Sequence, residues 1–302
     1  MFLATDVLVL GLRALTFVAL FQAAGTVIFL RSFEPDLGAG MAMRCRNLAR
    51  LAAVVALTAA VLHFVLTPAR MAGALGSTFD PSLGALLLGS NSGTAHIVRV
   101  VGLALLLLSL DRASRLNDAV ALLGAVLALA SFALMGHTTI HPQRWLLGVL
   151  LLAHLGVGAW WFGALLPLRW IVGSEVPERA GAFVARFSAL AVKLVPAIFV
   201  CGVVMSAVLV RSLAELATGY GAVLLGKAAV FALLMGLAAL NKWRFGPRLQ
   251  DAAAATALRR TITVEWLLIA ALLIGTAVGT SLFSPEHLEG VFGPEHGIVP
   301  AH

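Results

Sequence analysis

Eight long apolar runs constrain this chain more than any other feature of its sequence. A helix needs about 20 mostly apolar residues to cross the hydrocarbon core of a bilayer. The runs lie at residues 5–30, 48–67, 95–111, 118–136, 145–168, 187–210, 220–241 and 262–283. The sequence therefore predicts an all-α polytopic membrane protein, with residues 1–283 forming a single bundle of eight transmembrane helices and residues 284–302 forming a tail.

The composition agrees with this prediction. Hydrophobic residues make up 61% of the 302 residues and charged residues only 12%, too few to cover the surface of a soluble domain of this length. The arginines lie between the apolar runs, which indicates membrane topology and a lipid partner, with no nucleic-acid surface. The segment from Phe79 to Leu88 is apolar but too short to cross, and it predicts an interfacial or re-entrant helix.

Basic residues are divided unevenly between the two sets of loops. Fourteen lie in or beside the first, third, fifth and seventh loops, whereas the alternate loops hold only Arg70, Arg144 and Arg211. Because Lys and Arg accumulate on the cytoplasmic side of a membrane, both termini and the 284–302 tail are predicted to be periplasmic. The expected location is the bacterial inner membrane.

Histidines are concentrated in the half of the bundle predicted to face the periplasm. All eight fall there, at His63, His96, His137, His141, His154, His287, His296 and His302. A histidine inside a membrane helix usually marks a functional site, and imidazole binds copper and zinc well. We predict a metal site formed by His137, His141 and His154, with His63, His96 and Met135 as further candidate ligands.

This prediction carries a geometric condition and an alternative. His137 and His141 share one helical face only if the fourth run stays helical through Ile140, and Pro142 ends any helix there. The alternative is that these rings are interfacial residues bonded to water, and that His63 and His96 bond to helix-end carbonyls. The tail histidines either collect metal or belong to a polar segment without that role.

Sulfur donors occur in the sixth run. Cys201 and Met205 lie one helical turn apart, and soft sulfur ligands favour Cu(I). We predict that they relay copper inward, although methionine is also a common filler of apolar gaps.

Charged residues also occur within the apolar runs, where they usually pair or line a wet cavity. Glu265 either pairs with a nearby cation such as Arg260, or holds a proton or cation at an inner gate. Lys227 is either functional or a structural anchor.

Two other motifs carry no chemistry. Residues 221–227, GAVLLGK, imitate a phosphate-binding loop but lie inside an apolar run and are followed by Ala228. Nothing in the sequence therefore couples the chain to ATP. Gly275 and Gly279 form a GxxxG motif, which predicts close packing of the last helix.

Several segments, in this order, resemble the copper resistance D (CopD) family of inner-membrane copper proteins. They are GH at Gly136–His137, HLGVGAWWFGALLPL from His154, RFSALA from Arg186, GYGAVLLGKAAVFALLMGLAALNKWRFGP from Gly219 and LRRTITVEW from Leu258. The resemblance implies a copper permease that is not an enzyme, sometimes served by a CopC-type periplasmic copper carrier. By matching position, it implies functional roles for His137, His154, Lys227, Asn241 and Glu265.

The predicted mechanism is capture of copper by the periplasmic histidines and inward movement driven by the membrane potential. The main rival is a haem-b-binding redox protein, with two of His63, His96, His137 and His154 as axial ligands. A metal sensor or assembly factor is a weaker rival. The copper oxidation state, Cu(I) or Cu(II), and a homo-oligomeric assembly are both left open at this point.

Overall fold

The computed structural model describes residues 4–110, 114–135, 141–209 and 219–282. Within these ranges the secondary structure is entirely helical, as predicted. The nine α-helices are α1 (Ala4–Phe33), α2 (Ala39–Ala72), α3 (Pro81–Leu88), α4 (Asn91–Ser109), α5 (Arg115–Ala130), α6 (Arg144–Ser174), α7 (Pro177–Leu209), α8 (Gly219–Leu240) and α9 (Ala252–Leu282).

Eight of the nine helices are long and apolar enough to cross a membrane, which confirms the predicted number of spans. The exception is α3, which follows a 3₁₀ turn at Leu75–Phe79 and lies where the sequence predicted a short interfacial helix. Asp80 caps α3: its side chain accepts hydrogen bonds from the backbone N–H groups of Ser82 (2.8 Å) and Leu83 (3.2 Å). This cap satisfies two of the N–H groups that the first turn leaves free.

Several helices are longer than the apolar runs that identified them. α2 begins at Ala39, α7 at Pro177 and α9 at Ala252, about two to three turns before the predicted spans. The added turns are rich in alanine and arginine, which favour a helix but make these turns less apolar than the runs. Hydropathy locates the part of a helix that lies in lipid, and it misses the part that continues into water.

The core of the bundle lies around α1 and α6. α1 packs against α2, α5, α6 and α9, and α6 packs in addition against α7. Phe29 of α1 and Trp160 and Phe162 of α6 are fully buried between these helices. Large side chains on the outside of the bundle are apolar too, including Leu108 and Phe199, as expected where the surface meets lipid tails.

Single glycines allow the closest helix contacts. A Cβ at Gly25 would lie 1.8 Å from the carbonyl oxygen of Ala159, and a Cβ at Gly163 would lie 2.2 Å from the backbone carbon of Gly25. Only glycine fits where α1 and α6 cross this tightly. The GxxxG prediction is wrong within this chain, because a Cβ at Gly275 or Gly279 meets no atom within 4 Å among the described residues.

The spans alternate in direction, so the connections after α1, α4, α6 and α8 share one end of the bundle. We call this end the arginine-rich face and the other end the histidine face. Ion pairs tie the segment between α1 and α2 to neighbouring helices at the arginine-rich face. They join Arg31 to Glu34 and to Asp118 (2.8 Å), Arg46 to Glu34, and Arg186 to Asp36.

Candidate functional site

His154 is held at the contact between α6 and α7. Its Nδ1 lies 2.9 Å from the carbonyl oxygen of Ile198. A carbonyl oxygen only accepts hydrogen bonds, so Nδ1 must carry the proton and donate it. In the neutral ring Nε2 then keeps its lone pair, the arrangement usually found in histidines that bind a metal.

The helices beside the His154 ring carry a thiol and a positively charged side chain. A Cβ at Gly202 would be 3.7 Å from His154 Cε1, so the ring sits against the helical turn from Ile198 to Gly202. Cys201 is buried within this turn. Lys227 of α8 acts on the imidazole electrostatically. Cys201 thus lies in the turn of α7 that holds His154, and Met205 follows Cys201 by one turn on the same side of α7.

His63 and His96 lie in a different setting, closer to the histidine face. The His96 ring stacks on Phe64, with centroids 4.1 Å apart and the planes inclined by 13°. Several cationic side chains surround His63. We call the group the basic cluster; its members are Arg13, His63, Arg70, His96 and Arg99.

Arg99 is the most enclosed member of the basic cluster, with 8% of its surface exposed. Its Nε donates to Ser131 Oγ at 3.1 Å, its Nη2 lies 3.8 Å from Met135 Sδ, and its guanidinium carbon lies 4.8 Å from the Phe132 ring centre. All three partners are uncharged. Among the described residues, the basic cluster has an acidic partner in Asp6, whose Oδ1 lies 3.2 Å from Arg70 Nε.

The basic cluster disfavours a bound cation. A unit positive charge about 6 Å from a guanidinium meets a repulsion of about 3 kcal/mol at an effective dielectric constant of about 20. His63, His96 and Met135 all lie near such a charge. His154 has one cationic neighbour, Lys227, whereas three arginines act on His63. Copper ligands in the basic cluster are therefore less favourably placed than His154.

The fourth span does not stay helical as far as Ile140, which was the condition for His137 and His141 to share a helical face. Its α-helix ends at Ala130 and gives way to a 3₁₀ turn at Ser131–Leu134 and to extended backbone at Met135. His141 Nδ1 accepts a hydrogen bond from Gln143 N at 3.1 Å. A neutral ring that accepts at Nδ1 carries its proton on Nε2, which leaves neither nitrogen free for a metal in this conformation.

The remaining histidine predictions lie outside the described residues. They concern His137, His287, His296 and His302. Among the described residues, no three His, Cys, Asp or Glu side chains are grouped so as to hold a metal ion.

Glu265 forms a second centre, between α6, α8 and α9, with only 2% of its surface exposed. Its Oε1 accepts a hydrogen bond from Asn241 Nδ2 at 2.5 Å, and the Trp161 side chain also donates to the carboxyl. Thr261 donates to Asn241 Oδ1 and so fixes which way the amide points. The predicted pairing of Glu265 with Arg260 is wrong: among the described residues its partners are neutral donors and it has no ion pair.

The backbone at the end of α8 positions Asn241. A single π-helical turn runs from Asn241 to Phe245, and the N–H of Gly246 bonds to the carbonyl oxygen of Asn241. Such turns are rare and occur frequently at functional sites. No pattern in the sequence indicated this turn.

Sequence reasoning also missed the polar groups that lie beside Glu265. Trp266 Nε1 donates to Gln22 Oε1 at 2.9 Å, and Gln22 Nε2 donates to Thr26 Oγ1 at 2.9 Å. Thr26 in turn bonds to the carbonyl oxygen of Gly163 at 3.2 Å. Gln22 and Thr26, four residues apart in an otherwise apolar run, were the available signal.

An open groove of about 470 Å³ lies at the arginine-rich face, between the start of α7 and the turns that follow α8. Its lining includes Glu178, Ser188, Lys242 and Gln250. Asn241 immediately precedes Lys242, so the Glu265 centre lies one residue along the chain from this groove.

Comparison with known proteins gives two family matches. The model described as "Copper resistance protein D" matches residues 181–279, and the model described as "Copper resistance protein D-like, N-terminal domain" matches residues 4–143. Together they cover most of the chain, and α6 with His154 lies between them.

Two curated proteins are similar along most of the chain. "Copper resistance protein D" of Pseudomonas syringae pv. tomato is 29% identical over 323 residues, covering 95% of this chain and 99% of that protein. "Copper transport protein CutJ" of Bacillus subtilis (strain 168) is 28% identical over 292 residues, covering 90% of this chain. The alignment takes in 52% of CutJ, so this chain spans about half the length of that relative. No solved structure matches the chain.

Proposed function

Because this chain belongs to the copper resistance protein D family, we propose that it is a copper permease of the bacterial inner membrane. It carries copper from the periplasm to the cytoplasm as a transporter without catalytic chemistry. We assign the arginine-rich face to the cytoplasm, since Lys and Arg accumulate in cytoplasmic loops. The histidine face and both termini are then periplasmic.

The setting of His154 carries this proposal. Its Nδ1–H is committed to the Ile198 carbonyl, which leaves the Nε2 lone pair available inside the bundle. The neighbouring turn of α7 provides the thiol of Cys201, with the thioether of Met205 one turn further on. Imidazole, thiol and thioether are the ligand types that favour copper, and Cu(I) in particular.

The two halves of the chain offer copper different environments, and this selects the route. In the N-terminal half, the basic cluster repels a cation near His63 and His96. In the C-terminal half, copper passes inward from Met205, which lies nearest the histidine face, by Cys201 to His154, between α6, α7 and α8. The ammonium of Lys227 weakens the hold on the ion, as suits a site that must release it.

The membrane potential drives the movement in this proposal. A potential that is negative inside favours inward movement of a cation by about 2.3 kcal/mol per charge for every 100 mV. This driving force needs no nucleotide, and it agrees with residues 221–227 lying in the helix of α8, where the backbone N–H groups cannot bind phosphate.

Capture at the periplasmic surface is assigned to His137, because the His141 ring has no nitrogen free for a metal in this conformation. The tail histidines and a separate CopC-type carrier are further sources of copper. The haem alternative has no support from the comparisons, because both family descriptions and both relatives concern copper. One face of the His96 ring is also covered by Phe64.

Copper uptake into proteoliposomes tests this function. We expect vesicles with the purified chain to take up copper faster than empty vesicles when the inside is made negative. His154→Gln keeps a hydrogen-bond donor for Ile198 but removes the imidazole ligand, and we expect uptake to fall at least tenfold. His141→Gln is the matched control, because the His141 ring has no nitrogen free for a metal in the described conformation. Uptake no faster than in empty vesicles, or unchanged uptake in His154→Gln, would contradict the proposal.

A further inference from the structure

We propose that Glu265 is a proton-binding site that opens to the groove at the arginine-rich face and gates the exit of copper. The inference deepens the proposed function and rests on it. Between transport events the carboxyl is protonated. As a copper ion approaches, the carboxyl releases its proton to water in the groove, and it binds a proton again from the same side after the ion has left.

The enclosure of the carboxyl determines its resting state. Glu265 is 2% exposed and receives hydrogen bonds only from the neutral Asn241 amide and the neutral Trp161 indole among the described residues. A buried carboxylate without a countercharge costs several kcal/mol of solvation free energy, and two neutral donors offset only part of this. The neutral carboxylic acid is therefore the stable form when no cation is near.

No neighbouring charge replaces the proton. The charged groups on the elements packed around this part of α9 are Arg31 of α1, Arg169 of α6, Glu178, Arg179, Arg186 and Lys193 of α7, Lys242, Arg244 and Arg248 after α8, and Arg259 and Arg260 of α9. None of them forms an ion pair with Glu265 in the part of the chain that the structure describes. Arg259 and Arg260 lie more than one helical turn closer to the arginine-rich face.

A passing cation changes this balance. A unit positive charge about 5 Å from a carboxylate is attracted by about 3 kcal/mol at an effective dielectric constant of about 20. The field of the ion thus favours the ionised form for as long as the ion is close. The carboxylate acts here through its charge and need not coordinate the metal, because oxygen is a poor ligand for Cu(I).

The helix α6 leads from His154 toward Glu265. His154 and Trp161 are seven residues apart on the same side of α6, about 10 Å along its axis. Trp161 touches Glu265, and Asn241 connects Glu265 to the edge of the groove beside Lys242. The proton therefore has an exit at the end of the path that copper follows.

Infrared difference spectroscopy tests the proton directly and does not depend on transport. The spectrum of the purified chain minus that of Glu265→Gln, in lipid at neutral pH, is expected to show the C=O stretch of one protonated carboxylic acid. The amide of glutamine preserves the shape and accepts from Asn241, so the fold should be kept. Glu178→Gln, on the rim of the groove, is the control and should leave this band in place. Absence of the band would overturn the inference.

Copper uptake tests the gate. In wild-type proteoliposomes with the groove facing the lumen, we expect copper uptake to fall about fivefold or more when the lumen is acidified from about pH 8 to about pH 6. The binding of a single proton changes such an equilibrium by at most about tenfold per pH unit. Glu265→Gln should show slow uptake without this dependence, and Glu178→Gln should behave like the wild type. The same pH dependence in Glu265→Gln would overturn the inference and leave the permease intact. If the wild type takes up no copper, the proposed function fails, and the infrared band still decides the protonation of Glu265.

Discussion

One basic and one acidic side chain are more than nine-tenths buried in the described part of this bundle, one in each half of the chain. Arg99 in α4 is surrounded by a hydroxyl, a thioether and an aromatic ring, and further cations lie close by. Glu265 in α9 accepts hydrogen bonds from an amide and an indole and lies near an open groove. The N-terminal half thus presents a fixed positive charge, whereas the C-terminal half presents a group that can become negative.

This difference indicates a division of labour between the halves. A guanidinium stays charged under all ordinary conditions, so the region around Arg99 repels cations permanently. A carboxyl changes its charge by exchanging one proton, so the region around Glu265 is able to respond to a passing ion. We infer that the N-terminal half is mainly scaffold, and that copper crosses through the C-terminal half.

The histidines give the largest expected contrast between the two halves. His154→Gln should weaken Cu(I) binding by about 100-fold, equivalent to about 2.7 kcal/mol, because it removes the imidazole ligand. The double variant His63→Gln/His96→Gln should bind within about twofold of the wild type, because the basic cluster repels copper. Competition with a Cu(I) chelator measures both. A loss in the double variant as large as that in His154→Gln would place the route in the N-terminal half.

The spans could be predicted from the sequence because lipid imposes a simple length and polarity on each of them. The eight apolar runs and the short segment ending at Leu88 all appear as helices in the structure. The helix contacts could not be predicted in this way. GxxxG at Gly275 suggested close packing, but the tight crossing is formed by Gly25 and Gly163, each a lone glycine that meets a partner far away in sequence.

The sequence named His154 and Glu265 as candidates, but it did not indicate which groups they bond to. The depth of His154 indicated that its ring needed a polar contact, but a carbonyl 44 residues away supplies it. For Glu265, sequence proximity suggested Arg260, whereas the actual donor Asn241 lies 24 residues away at the end of another helix. Such pairings depend on how helices pack, which local patterns do not encode.

A conservative change at Arg99 should affect stability more than transport. Arg99→Lys keeps the positive charge but loses the planar group over Phe132 and the fixed geometry toward Ser131. We expect a loss of about 1–2 kcal/mol in unfolding free energy, measured by thermal unfolding in detergent, with copper uptake within about twofold. Arg144→Lys, at the exposed Trp145, is the control and should cost little. A collapse of uptake in a folded Arg99→Lys protein would refute a scaffold role.

The smallest effect is expected at Asp80, an exposed carboxyl that contrasts with Glu265. Hydrogen bonds from the Ser82 hydroxyl, and then from the backbone of Leu83 and Ser82, lower the pKa of Asp80 below its ordinary value. The ionised cap therefore stabilises α3 above the ordinary pKa of about 4, and the stabilisation is lost as the pH falls through the lowered value.

Amide exchange protection in α3, followed by mass spectrometry, measures this effect of pH. Wild-type protection should persist through neutral pH and decline only in strong acid. Asp80→Asn keeps an acceptor that does not titrate, so its protection should not depend on pH, while Asp80→Ala should be less protected throughout. If Asp80→Ala were protected as well as the wild type, the cap would contribute nothing. The prediction follows from the difference between the two carboxyls. The Asp80 carboxyl is exposed and bonded by several donors, so it stays ionised, whereas Glu265 is enclosed with two neutral donors and holds its proton.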